Sequence, residues 1–462
     1  MSAAEKERTV GVAKRSTVTI VAAALTAAAL GTRLARRAAS RRPRRVAGQR
    51  RRLVIAGAGF AGTSLVGRLA REIEPGTLDV LLIDRHNYHL FTPLLYQAAT
   101  GDVDPANIAY PLRPFTAEHH ADFLCASITG INLVDQVIET DQGNVDYDYL
   151  VLGLGSTTNF FGMQEVERRA HSLKEIPAAR AIRNDLVNRF EQAARIDDPE
   201  ERRRLLSFIV VGAGATGVEL VGSLHELIQR SLLPYYPTLP ADAATIVLVE
   251  ATDTILPGMK QQVRDITVQR FAQLGIDLRL HTAIAGIDDN GVVTRSGETI
   301  PGRTVIWTAG VKPNPVVAAL AVEKSRDGRV IVDEHLRIPD HPNVFALGDN
   351  AFALSGKDAA ALPPNAQVAV QQGEVTAVNI ARLLAGDALV PFRYRHRGEL
   401  VALGRWHAVA DLGPVVFDGP PAWVAWRAFY LSQIMGIKNR SAVFLDWVST
   451  LFARRYIANI ES

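Results

Sequence analysis

The sequence predicts an α/β protein built from two parallel-sheet units, with a helical region appended at its C-terminus. Three observations predict it. Residues 52–70, RLVIAGAGFAGTSLVGRLA, and 207–227, SFIVVGAGATGVELVGSLHEL, repeat one pattern: an apolar run, GxGxxG, then an amphipathic stretch. Each repeat is followed by a second apolar run that ends in an acid, at Asp84 and at Glu250. The third is the ending, WRAFYLSQIMGIKNRSAVFLDWVSTLF at 426–452, where two short apolar blocks flank the basic patch GIKNR.

Composition sets the outer bounds. With 462 residues, 48% hydrophobic and 21% charged, the chain has room for two or three packed domains and is too apolar for wholesale disorder. Cys125 is its one cysteine. That rules out an intrachain disulfide, a CxxC redox pair, a thiolate zinc site and a cysteine-ligated iron–sulfur cluster. Redox chemistry must then come from an organic cofactor, and no metal site is expected. Residues 1–52 hold 14 Lys or Arg against 2 Glu, which is +12; the whole chain carries +3, so the rest carries −9. Nucleic acid is therefore not an expected partner, because its binders spread basic residues over the folded body.

The leader, residues 1–50, contains the uncharged stretch Ser16–Thr32, with Lys14 and Arg15 before it and ten Arg from Arg33 to Arg52 after it. A spanning helix takes about 20 apolar residues, so this one is marginal. If it spans, the arginine excess places the following chain on the cytoplasmic side. A basic tail that attracts anionic lipid, a cleaved signal and an organelle presequence are the other readings.

Next come the glycine loops. Gly57 and Gly212 permit a tight turn, Gly59 and Gly214 let the backbone approach a pyrophosphate, and Gly62 and Gly217 let the helix lie close to the strand. Phe60 and Ala61 open the first helix and Thr216 the second, where free N–H groups and the helix dipole favour a phosphate. Asp84, with Arg85 after it, lies 22 residues beyond Gly62, and Glu250 lies 33 beyond Gly217, with PYYPTLPADAA lengthening the second gap. A carboxylate there accepts from ribose hydroxyls and repels a 2′-phosphate, and no Arg directly follows Glu250. The second loop thus suits NADH rather than NADPH. Two later strands enter turns, DYDYLVLGLGS at 146–156 with Gly155 and VFALGDN at 344–350 with Gly348 and Asp349. An Asp at such a strand end can bond a polyol such as the ribityl chain of FAD, although Gly-Asp alone is more often a surface turn. Taken with the first loop, it assigns FAD to the first unit and NADH to the second.

These four motifs make residues 50–390 resemble the two-dinucleotide-binding-domain flavoproteins of the glutathione-reductase-like fold, without the dithiol of the disulfide reductases. DRHNYHLFTPLLYQAATGDVDP at 84–105, PPNAQVAVQQG at 363–373 and IMGIKNRSAVFLDWVS at 434–449 narrow the resemblance to type II NADH dehydrogenases. The resemblance implies an FAD domain split between 51–165 and 326–390, an NADH domain at 166–325, and a membrane-association region at 391–462. It also implies a quinone acceptor, ubiquinone or menaquinone, and a homodimer.

Candidate reacting groups follow. TAGVKPNP at 308–315 ends a strand with Ala309 and Gly310, small enough for a nicotinamide to stack on the flavin; the plainer reading is a turn before Pro313. Glu219 is read in the first turn of its helix, where it offsets the dipole; by resemblance it faces the flavin. Gln367 and Gln371, four apart with Ala366 and Ala369 beside them, share a helix face. Two such Gln are commonly just solvated, but the resemblance makes them donors to a quinone. Lys438, in the basic patch, reaches for lipid phosphates or lies near the quinone entrance. Water, Glu219 and Lys438 are the candidate proton donors.

The ending is read as two interfacial helices, with Trp423, Trp426, Phe429, Tyr430 and Ile434 on one and Phe444, Trp447, Val448, Leu451 and Phe452 on the other. Each is too short to span, and Trp and Tyr favour the interface. A dimer interface or a core helix pair competes. The sequence thus reads as a single-subunit, non-pumping NADH:quinone oxidoreductase on the cytoplasmic face of a bacterial plasma membrane, or on the mitochondrial inner membrane. The rivals are a soluble NADH–ferredoxin-type reductase and a membrane-bound sensor of NADH or flavin.

Overall fold

Strand β1 (Arg52–Ala56) is buried almost throughout, as a parallel strand covered on both faces must be. Its apolar run stops at Gly57 and helix α1 (Phe60–Glu72) follows at once. The computed structural model describes residues 50–355, 360–455 and 457–459; the Ser16–Thr32 stretch lies outside the described residues. Beyond α1 come β2 (Asp79–Asp84), α2 (Leu95–Ala99), β3 (Asp122–Cys125), β4 (Tyr149–Leu152) and β5 (Ser156–Thr158). The second unit supplies β6 (His171–Ser172), α3 (Ile176–Ala193), β7 (Ser207–Val211), α4 (Ala215–Leu227), β8 (Thr245–Val249), β9 (Asp277–Arg279), β10 (Thr304–Trp307) and β11 (Val311–Pro313). The chain then returns to the first unit through β12 (Arg337–Ile338), β13 (His341–Ala346) and α5 (Ala366–Ala385).

The first sheet has the order β12-β13-β4-β1-β2-β3 and is parallel except at β12. Ile55 sits between Leu82 and Val151, so the core runs across the register. The second sheet, β6-β10-β7-β8-β9, is wholly parallel. A short antiparallel ribbon joins the units, pairing Ser156 with Pro313 and Thr158 with Val311. Helix α5 crosses α1 closely because residue 373 is glycine; a Cβ there would lie 2.4 Å from the carbonyl oxygen of Ala61.

The C-terminal region holds the two expected helices, but a small sheet that the sequence reading did not foresee precedes them. Residues 399–418 first form an antiparallel sheet of β14 (Glu399–Ala402), β15 (Ala408–Asp411) and β16 (Val416–Asp418). Helices α6 (Gly419–Gln433) and α7 (Ile437–Phe452) follow. The strands escape a helical-period reading because their alternation is short and broken by Gly404 and Gly413. Their place in the fold matters: β14 packs on α4 and brings Ala402 to Glu219.

Candidate active site

The two glycine loops have the same geometry. Gly57 and Gly212 both take φ +105°, and a Cβ on either would strike backbone, Gly153 oxygen at 2.3 Å or Ala309 nitrogen at 2.6 Å. On Gly62 and Gly217 a Cβ would meet the carbonyl of the first glycine at 2.0 and 1.9 Å. By contrast, a Cβ on Gly59 or Gly214 would have nothing within 4 Å, which is the open side of each cradle. Those same glycines are the N-caps of α1 and α4, and neither supplies a side-chain cap, so first-turn N–H groups stay available. Thr216 is exposed at the start of α4. Ala61 is buried, and Phe60 turns inward against His89 and Phe91 at ring distances of 5.1 and 5.9 Å.

Each loop also holds its acid. Asp84 accepts from the N–H groups of Ala58 (2.8 Å) and His86 (2.9 Å). Glu250 accepts from Ala213 (2.8 Å) and Thr252 (3.0 Å). The carboxylates are thereby fixed at the loop rims. Across the first crevice, Gly348 donates its N–H to Gln372 at 2.6 Å, and Asp349 accepts from the hydroxyl of Ser156 at 2.5 Å, next to Gly155. Open glycines, uncapped helix starts, a rim carboxylate and Asp349 on the facing strand end together suit an extended dinucleotide. At the second unit, Ala309 lies against Gly212, and Gly310 at φ +73° has no room for a Cβ beside Phe161.

Glu219 departs from its sequence reading. Helix α4 begins at Ala215, so Glu219 opens the second turn rather than lying in the first. Its Oε1 accepts from the Ala402 N–H and the Trp426 indole N–H, both at 3.1 Å. Burial pushes its carboxyl up to about 8, against the pull of those two donors. It is thus largely a neutral acid at neutral pH, with Oε2 left to carry the proton. A small cavity beside it is lined by Tyr96, Asp102, Ser223, Trp426 and Arg427 among others.

The paired glutamines are not solvated. Gln371 is buried; its amide donates to the Arg395 carbonyl and accepts from the Arg395 N–H, both at 3.0 Å. Gln367 donates to the Gly398 carbonyl at 2.8 Å and accepts from the Arg397 N–H at 3.3 Å. Each therefore ties α5, which starts at Ala366, to the 395–398 segment and keeps one amide N–H in reserve. Asn365 caps this helix by accepting from the Val368 N–H at 2.9 Å. Lys438 is exposed at the start of α7.

A family model described as pyridine nucleotide-disulphide oxidoreductase matches residues 51–373, and one described as NDH2 C-terminal domain matches 396–456. The chain is 33% identical to the type II NADH:quinone oxidoreductase Ndh of Mycobacterium tuberculosis over 423 residues, which are 88% of this chain and 89% of that protein. This chain belongs to the type II NADH:quinone oxidoreductase family. A second Mycobacterium tuberculosis relative, type II NADH:quinone oxidoreductase NdhA, is 31% identical and covers 88% of each chain. In fold, the chain is similar to NDH2 of Plasmodium falciparum solved with NADH, with TM-score 0.80, 20% identity, and 89% and 100% of the two chains covered. The type II chain keeps its disulphide-reductase-like frame while holding Cys125 as a free, exposed thiol.

The roles of four residues of this site were not legible in the sequence: Lys174, Gln372, Ala402 and Trp426, the last read there only as an interfacial side chain. Lys174 donates to Ser156 at 3.1 Å. The glycines of GxGxxG, the acid after each second strand and the strand-end turns carry local signals; these four act through contacts between distant segments.

Proposed function

We propose that this chain oxidises NADH and passes two electrons through FAD to a membrane quinone. The observation that carries it is the duplicated cradle: two glycine loops, each with its own fixed acid, on units joined by the Ser156–Thr158 ribbon, in a chain without a cysteine pair. FAD, when bound, supplies a carrier that accepts a hydride and gives up electrons in pairs or singly. Gly57–Gly62 would hold its diphosphate, Asp84 a ribose and Asp349 the ribityl chain. Gly212–Gly217 and Glu250 would hold NADH, with Ala309 and Gly310 leaving room for the nicotinamide. Glu219 stores a proton for quinone reduction at neutral pH, while Gln367 and Gln371 fix the α5 face on the acceptor side.

Peripheral attachment to a membrane supports the acceptor's chemistry, since quinone dissolves in lipid and NADH in water. Among the described residues no helix is long and apolar enough to cross a membrane. The tryptophans are not the lipid face that the sequence reading made them: Trp423, Trp426 and Trp447 are buried. Phe429, Phe444 and Phe452 of that reading are exposed, joined by Val424, Ile437 and Leu445. Immersing these residues would gain on the order of 5–10 kcal/mol before ordering costs. Lys438, at the helix turn, suits a lipid phosphate. The cytoplasmic face of a bacterial plasma membrane fits this arrangement, and a second copy of the chain in a homodimer is the competing cover for the same face.

The test is spectroscopic. The detergent-purified protein should show flavin absorbance that bleaches on adding NADH and returns on adding a soluble quinone. Bleaching without return would favour a protein acceptor or a sensor.

A further inference from the structure

Residues 174 and 175 reach from the second unit onto the first. They follow β6, the edge strand of the second sheet, and lead into α3. Lys174 donates to the Ser156 hydroxyl at 3.1 Å, and that hydroxyl donates to Asp349 at 2.5 Å. Glu175 makes an ion pair with Arg85. The positions of these partners in the first sheet are informative. Ser156 follows β4 and Asp349 follows β13, whereas Arg85 follows β2. In the order β13-β4-β1-β2, strand β1 lies between the two sets. Two adjacent residues therefore grip opposite flanks of the strand end that carries Gly57–Gly62.

That strand end is the switch point of the sheet, where the neighbours of β1 leave in opposite directions and a dinucleotide crevice opens. We propose that Lys174 and Glu175 form a clasp across this crevice, with Lys174 a positioning residue for the anionic diphosphate and polyol of bound FAD and the Glu175–Arg85 pair its latch. The proposal rests on the reading that FAD occupies the first unit. An ammonium has three N–H donors, and the Ser156 hydroxyl takes one of them. Burial pulls the Lys174 ammonium down and Asp349 partly restores it; an anionic group bound beside it would restore it further. The latch pair is half exposed, and its share in retention is accordingly small.

The test is the rate of flavin release from the full-length holoprotein, followed as free-flavin fluorescence after dilution into a chaotropic salt. Lys174→Met should release FAD about tenfold faster or more, the loss of one charge-assisted contact. Lys174→Arg should stay near the wild-type rate. Glu175→Arg and Arg85→Glu should each speed release a few-fold, and the double exchange should bring the rate back. Thermal unfolding of the flavin-free forms should be unchanged, which separates a clasp from a general loss of stability. Wild-type release rates in both Lys174→Met and Glu175→Arg would overturn the clasp while leaving the cofactor reading intact. A wild-type protein that neither contains FAD nor takes it up would overturn the cofactor reading and the clasp with it.

Discussion

Glu219 shows how surroundings decide what one side chain can do. Folded, it keeps its proton to about pH 8; unfolded, it loses it near 4.5. Between those values the folded chain binds more protons than the unfolded one, so stability falls as pH rises, by up to roughly 1.4 kcal/mol per pH unit. Glu219→Gln should flatten this fall, read as a smaller drop in Tm between pH 5 and pH 9 than in the wild type. The same variant should slow flavin reoxidation by quinone about a hundredfold if the carboxyl supplies the proton, while bleaching by NADH stays close to normal. Stopped-flow measurement of the two half-reactions separates these effects. In the wild type the quinone step should decline as pH passes about 8. Glu250→Ala should raise the NADPH-to-NADH ratio of kcat/KM roughly tenfold, because the 2′-phosphate then meets no carboxylate. Glu250 and Asp84 were legible in the sequence because each ends an apolar run at a set distance from a glycine loop. Trp426 was not, because its indole reaches Glu219 from 207 positions away.

At the scale of elements, the two C-terminal helices were legible and their orientation was not. Helical periodicity places Trp423, Trp426 and Trp447 on apolar stripes, but it does not say whether a stripe meets lipid or protein. The indole N–H decides: Trp426 donates to Glu219 and Trp447 to Gln97 at 2.8 Å, bonds that a lipid-facing ring would forgo. Arg427 packs between the Trp423 and Trp447 rings at 4.2 and 4.6 Å and seals the stripe. Deleting residues 421–462 would thus uncover the core around Glu219 rather than merely remove an anchor. The sharper experiment changes only the exposed side. Replacing Phe444, Leu445 and Phe452 with Glu should abolish sedimentation with anionic liposomes and leave Tm and NADH-driven bleaching close to wild type. Unchanged liposome binding would point to the leader, or to another face, as the attachment.

For the whole molecule, the duplicated Rossmann-like unit was plain from two short signatures, because strand, glycine turn and helix start are local demands on local residues. The assignment of FAD to the first loop and NADH to the second, read from those acids and from the distant strand ends at 146–156 and 344–350, belongs to the proposed function. What the sequence by itself determined, then, is the inventory: two cradles, their acids, a cysteine-poor chemistry and an amphipathic ending. Tertiary structure alone decided how these parts meet. It brought Ala402 and Trp426 onto Glu219 and so set its proton affinity, turned the tryptophans inward, tied the paired glutamines to the 395–398 segment, and laid Lys174 and Glu175 over the crevice of the other unit. The reason is range. Backbone turns and helix starts are settled within a few residues, whereas burial, proton affinity and the direction of an apolar face depend on partners hundreds of positions away that only the closed fold supplies.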